Sequence, residues 1–202
     1  MKKRLLSLVL TVTLILAFSG CSAVQNTAGR LLGQAESGPT APAATEISGS
    51  SILVYFPRAG QDAEQELIKE IGSAKKTLDV AIYSFTDKKV ASAIADDKKR
   101  GVTVRMISDK ECSGESYQKV CLKIVKDAGI PVKINSHSGI MHLKVSMIDH
   151  ASVTTGSYNY TASAQKKNDE NLVVISDQTV TGEYEEEFER MWNDTKNYTF
   201  LS

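Results

Sequence analysis

The chain has 202 residues, 24 of them basic and 24 acidic, with three cysteines and three histidines. Once an N-terminal segment is set aside, about 150 residues remain, enough for one domain with a real core. The balanced charge argues against a broadly basic surface that coats nucleic acid, and no Cys/His spacing suggests a structural metal site.

Residues 1–20 read as a signal peptide. Lys2, Lys3 and Arg4 precede an apolar run from Leu5 to Phe18, followed by Ser19-Gly20-Cys21. The run is short for a membrane span. A cysteine directly after small residues resembles a bacterial lipoprotein signal, which implies that Cys21 is acylated and becomes the mature N-terminus. An ordinary cleaved signal with an incidental cysteine and a retained N-terminal anchor are the alternatives. Cleavage removes three basic residues and leaves 21 against 24 acidic, so any attraction for nucleic acid must be local, from Lys144, Lys166 and Lys167 with Arg58. Residues 21–50, rich in Ala, Ser, Gly, Thr and Pro, read as a flexible tether. The lipoprotein reading places the protein outside the cytoplasm in the cell envelope, facing the periplasm from the outer membrane if the host has two membranes.

Residues 51–202 form the expected domain. Apolar runs at 51–56, 78–85, 102–108, 130–134, 142–148, 151–155 and 171–176 predict strands. Helical spacing is seen in Leu67, Ile68, Ile71 and Ala74 within 62–76, and in Val90, Ala91, Ile94 and Ala95 within 87–99. It continues through 116–128, with Gly101 and Gly129 placed as helix stops. A last helix over 179–193 carries Tyr184, Phe188, Met191 and Trp192 on one stripe, and its glutamates read as a solvated face. Strand–helix alternation followed by a run of strands predicts an α/β fold with a mixed central β-sheet flanked by helices on both sides, an α/β/α sandwich. Export favours a disulfide between Cys112 and Cys121, whose loop would stabilise by roughly 2.5–3 kcal/mol. Cys121 also lies with Val120, Ile124 and Val125 on an apolar helix face, where a buried thiol is the less favoured alternative.

The chemistry concentrates in HLKVSMIDHASVTTGSYN, where His142, Lys144, Asp149, Gly156, Ser157 and Asn159 follow the spacing H-x-K-x4-D-x6-G-S-x-N. A chance match to six fixed positions in such a chain is on the order of 10⁻⁶. On a strand over 141–148, Leu143, Val145 and Met147 share one face while His142, Lys144 and Ser146 share the other. Imidazole and ammonium then start roughly 6.5–7 Å apart, both able to touch one phosphate. Ser157 and Asn159, two apart after Gly156, offer hydroxyl and amide donors to its oxygens. A lone strand histidine is usually a tolerated polar residue. His142 has company, whereas His137 and His150 do not and read as solvent-facing.

This pattern resembles the signature of the phospholipase D superfamily, whose members break phosphodiester bonds through a histidine nucleophile. The resemblance covers about residues 51–195 and is nearest to small bacterial endonucleases with one motif per chain. Tyr83-Ser84-Phe85-Thr86 is similar to a segment those enzymes place beside the site. Asn168-Asp169-Glu170-Asn171 matches too, and Glu170 falls where the family keeps a carboxylate against the histidine. The resemblance implies that Glu170 orients the His142 imidazole, that Asp149 supports structure, and that neither metal nor cofactor is needed. Leu143 departs from relatives that carry a polar residue there.

In this superfamily the site is built from two copies of the motif, so for a chain with one copy the resemblance implies a homodimer with the site shared at its two-fold axis, one His142 attacking phosphorus and the other acting as acid and base. The function so implied is a sequence-nonspecific nuclease acting on DNA or RNA through a phosphohistidine. A phospholipase D or phosphatidyltransferase acting on membrane phospholipid is the alternative. A dimeric scaffold lipoprotein without turnover is a third reading.

Overall fold

Alternating burial along the strands sets the architecture. A computed structural model describes residues 45–47 and 49–202; the signal segment, Cys21 and most of the tether lie outside the described residues. The described residues belong to one compact unit, Gly38–Ser202. Nine strands among them form a single sheet: β1 (Thr45–Ile47), β2 (Ser50–Tyr55), β3 (Thr77–Ile82), β4 (Thr103–Ser108), β5 (Val132–Asn135), β6 (Lys144–Ile148), β7 (Ser152–Gly156), β8 (Leu172–Ser176) and β9 (Tyr198–Phe200). Their order is β1-β2-β8-β7-β6-β3-β4-β5-β9. The pairs β3–β4 and β4–β5 are parallel and the rest antiparallel, so the sheet is mixed as expected.

The helices are α1 (Ala63–Gly72), α2 (Lys88–Lys99), α3 (Lys110–Gly114), α4 (Ser116–Asp127), α5 (Ala162–Lys166) and α6 (Gln178–Asn193). Leu78, Val80 and Ile82 of β3 and Val104 and Met106 of β4 point to one face, where α1, α2 and α4 bury Leu67, Ile71, Val90, Ile94, Cys121 and Val125. Ala81, Ile107, Val145, Met147 and Val153 point to the other, under Phe188 and Met191 of α6. Period-two alternation thus feeds two cores. Ile94 is wholly buried, and Ile94→Ala would cost about 2–5 kcal/mol.

Several expectations are corrected. Thr45–Ile47 pairs with β2, so the residues assigned to the end of the tether already belong to the sheet. The shortest elements, β1, β9, α3 and α5, are too brief to show a period. The glutamates of α6 do more than face water: Glu189 binds Arg105, which also pairs with Asp79 beneath the helix, and Glu185 accepts from His150 at 2.7 Å. His150 is exposed but paired, and His137 is half-buried against the Tyr198 ring. Cys112 and Cys121 are both free, buried thiols. Cys121 faces the helical core, while Cys112 pairs with the Tyr83 hydroxyl, so the two thiols serve different neighbourhoods and no bridge forms. Val120 is exposed, off the apolar face assigned to it.

Candidate active site

The site assembles at one edge of the sheet. Strands β3 and β4 end there, giving Tyr83 and Asp109; β6 starts there, after His142; β7 ends at Gly156 and Ser157; β8 starts after Glu170 and Asn171; β2 ends at Phe56. The parallel strands thus present their carboxyl ends, where side chains of non-neighbouring segments converge.

His142 precedes β6 rather than lying within it, and its backbone is held from three sides. Asp109, wholly buried, accepts from Met141 N at 2.9 Å through Oδ2, while Oδ1 caps α3 through the Glu111 and Cys112 amides. Lys144 Nζ donates to the His142 carbonyl at 2.8 Å, and Tyr83 N donates to the Leu143 carbonyl at 2.9 Å. The imidazole itself is exposed and packs edge-on to the Tyr83 ring, centroids 4.6 Å apart. The strand expected from residue 141 therefore starts at Lys144, but the face assignments hold: Val145 and Met147 enter the α6 core with Leu143 against it, and Ser146 bonds the Tyr160 hydroxyl on the opposite side.

Lys144 is 7% exposed, with its ammonium over the Tyr83 ring at 5.1 Å. Burial pulls its pKa down, opposed by the negative charge of Glu170 and by Cys112. The Tyr83 hydroxyl is pushed up to about 12, first by its hydrogen bond with Cys112, and burial raises the Cys112 thiol as well. A buried ammonium without a carboxylate in contact is suited to receive an anion from outside.

The second half of the motif is locked by β7–β8 pairing. Gly156 adopts φ 131°, and a Cβ there would meet the Asn171 carbonyl oxygen at 2.3 Å, so glycine is required. Asn171 in turn bonds Ser157: its Oδ1 accepts from Ser157 N at 3.0 Å, and its own N donates to Ser157 Oγ at 3.1 Å. Asn159 Oδ1 accepts from Ser84 N at 3.2 Å, tying this loop to the segment after β3 and leaving the Asn159 amide N–H groups to donate elsewhere. Ser157, Glu170 and Asn171 line a cleft of about 560 Å³ with Phe56, Arg58, Ala59 and Asp169. Arg58 faces Asp169 at 3.7 Å, a loose and exposed pair.

The structure does not join Glu170 to His142 by a hydrogen bond. The Glu170 carboxylate accepts from Asn168 Nδ2 at 2.9 Å and acts on Lys144 through charge. Asp149 sits at the far end of β6, in the tight β6–β7 turn with His150, both at positive φ. It accepts from the backbone N–H groups of Lys75, Lys76 and Thr77 and so pins the loop into β3, away from any substrate. Asp109 was not singled out from sequence, and the bond that Asn171 makes to Ser157 was not anticipated; Asp109 reaches Met141 and Asn171 reaches Ser157 across 32 and 14 residues, separations that no local pattern encodes. Among the described residues no cluster of three or more His, Cys, Asp or Glu side chains is arranged to hold a metal ion, and no helix is long and apolar enough to cross a membrane.

The chain is similar to known proteins. A family model for the cardiolipin synthase, PLD-like domain matches residues 67–192. A mitochondrial cardiolipin hydrolase of Xenopus tropicalis is 33% identical over 130 residues, 63% of this chain and 61% of that protein. A phospholipase D of Rickettsia conorii is 33% identical over 141 residues, 69% of this chain and 68% of that protein. Among solved structures, Nuc of Salmonella typhimurium, a phospholipase D family member, superposes with a TM-score of 0.69 at 31% identity, covering 73% of this chain and 97% of that one. With the fold, the motif and the family model in agreement, the chain belongs to the phospholipase D superfamily.

Proposed function

We propose that the chain is a metal-independent phosphodiesterase in which His142 attacks phosphorus, and that its substrate is DNA or RNA cut without sequence preference. The observation that carries this reading is the exposed His142 imidazole, on a segment whose backbone is hydrogen-bonded at Met141, His142 and Leu143, beside a buried ammonium with no carboxylate partner among the described residues. The imidazole nitrogen forms a P–N bond as the P–O bond to one strand end breaks. Lys144 holds the non-bridging oxygens as charge gathers on them, with Ser157 Oγ–H and the Asn159 amide as further donors. The leaving oxygen takes a proton from His142 of a second copy, which then removes a proton from the water that cleaves the phosphohistidine. That second histidine requires a homodimer about a two-fold axis, as the single motif implies. Glu170 serves this site by its charge near Lys144, a positioning part beside the nucleophile.

Nucleic acid is favoured by the cleft wall, where Phe56, 51% exposed, stands two residues from Arg58: a ring for a base and a guanidinium for a phosphate. The similarity to Nuc points the same way. A phospholipid substrate is the second reading, supported by the names of the curated relatives and by Ile140, 47% exposed two residues before His142. For location, the Lys2–Cys21 segment supports export and acylation at Cys21, holding the domain in the cell envelope by a lipid anchor.

The test is digestion in EDTA by the detergent-solubilised full chain. Plasmid DNA, single-stranded DNA, RNA and cardiolipin vesicles are offered in parallel, with His142→Ala as control. Nucleic-acid cleavage that the variant loses is the expected result. Lipid turnover with nucleic acid intact would transfer the proposal to phospholipid, and turnover by the variant would remove His142 from the mechanism.

A further inference from the structure

A second cleft, of about 370 Å³, opens between α3, α4 and the C-terminal residues, lined by Ser113, Lys119, Leu122, Lys123, Lys126 and Leu201 among others. Two independent features point to a ligand. Among the described residues Lys119 and Lys126 make no ion pair, while Lys123 is matched by Asp127, which also lines the cleft. Ser113 is 5% exposed, stands in the wall, and its hydroxyl has no hydrogen-bond partner among the described residues. A buried hydroxyl left unpaired is destabilising unless a ligand bonds it, and unpaired lysines around it select an anion.

From this arrangement we infer that the cleft is a phosphate-binding subsite for the nucleic-acid strand flanking the scissile bond, which rests on the nucleic-acid reading of the active site. The lysines recur every three or four residues along α4, roughly 4.5–6 Å apart along the helix axis, a spacing close to that of successive phosphates in an extended strand. Tyr117, 55% exposed at the start of the same helix, offers a ring beside them. The subsite is also mechanically joined to the catalytic centre. Ser113 follows Cys112, which neighbours Tyr83, and the Tyr83 ring packs on His142. A strand held on α4 thus passes α3 on its way to the nucleophile. The cleft supplies the local positive charge that a chain with a balanced total requires, on a surface other than Arg58, Lys166 and Lys167.

The experiment uses the full chain in non-ionic detergent and the variants Lys119→Gln/Lys126→Gln and Ser113→Ala. Binding of a labelled 20-nucleotide single strand is measured across a salt series, alongside turnover of bis(p-nitrophenyl) phosphate, which is too short to reach both places. The double variant should lower the slope of log affinity against log salt by about 1.4, because roughly 0.7 counterions are released per phosphate neutralised on a single strand. Ser113→Ala should weaken binding about tenfold. Both variants should turn over the small diester at the parental rate, and melting temperatures identify any that misfold. Unchanged strand affinity and slope in both variants overturn the inference, as does a parent chain that binds no strand. Loss of binding to phosphatidylglycerol vesicles instead of the strand also overturns it, assigning the cleft to a membrane surface. Failure of the small diester to turn over in the parent counts against the active-site reading, and so separates the two.

Discussion

Asp149→Asn isolates the role of the motif aspartate. In the folded chain Oδ1 accepts from Lys76 N at 2.7 Å and Thr77 N at 2.9 Å, while Oδ2 accepts from Lys75 N at 2.8 Å. Asparagine tolerates the φ of 55° and keeps the first oxygen, but it turns an NH₂ toward the Lys75 amide. One charge-assisted bond is lost and a donor faces a donor, costing about 2 kcal/mol. Asp149→Ala removes all three acceptors and adds left-handed strain, for roughly 3–4 kcal/mol. With a urea slope of about 2 kcal/mol/M, the asparagine variant should unfold about 1 M earlier at pH 7. Burial pushes the Asp149 carboxyl up, but the three backbone donors outweigh it and hold its pKa below the ordinary 3.8. The carboxylate's contribution is therefore complete above that value and fades as pH falls through the lower folded one, so parent and variant should converge in acid. Turnover per folded molecule should be unchanged, because Asp149 lies at the end of β6 remote from His142. Equal urea midpoints at pH 7, or a folded variant without activity, would refute the reasoning.

Gly156→Ala should lose at least about 3 kcal/mol in the same urea titration and lower kcat, because its Cβ meets the Asn171 oxygen at 2.3 Å and the Ser157–Asn171 bonds must open. Tyr83→Ala should cut kcat about tenfold by freeing the imidazole, while Tyr83→Phe, which keeps the ring, should retain most of it. Activity should fall on the alkaline side below the ordinary lysine value of 10.5, since burial lowers Lys144 and its cation is required; pH–rate profiles read this directly. Asp97 is fully buried and raised from 3.8 to about 6, so its charged form penalises the fold above that pH. Asp97→Asn should remove the rise in stability that the parent shows between about pH 6 and pH 4, measured as the difference in unfolding free energy.

Much of the scaffold was legible because it is periodic. The strand runs at 51–56, 102–108 and 171–176 and the helices at 87–99 and 116–128 each match an observed element within about two residues, and the Tyr184–Trp192 stripe does bury against the sheet. What failed was either too short to carry a period, as in α3 and α5, or depended on a neighbour. Glu189 looked solvated because Arg105, its partner, is 84 residues away. Cys112 looked like half of a disulfide because Tyr83, its neighbour from the end of β3, is 29 residues away in the chain.

The sequence by itself determined the fold class and the motif spacing that motivates the phosphate chemistry proposed for His142 and Lys144, because these are written in spacings of two to seven residues that backbone geometry reads locally. Tertiary structure decided how the His142 segment is held and which residues surround it. Asp109 under Met141, Tyr83 against the imidazole, Asn171 across Ser157 and the lysines of α4 beside Ser113 all come from segments brought together by sheet pairing and helix packing. Those contacts form between chain segments distant in sequence, and only the folded sheet fixes which of them meet.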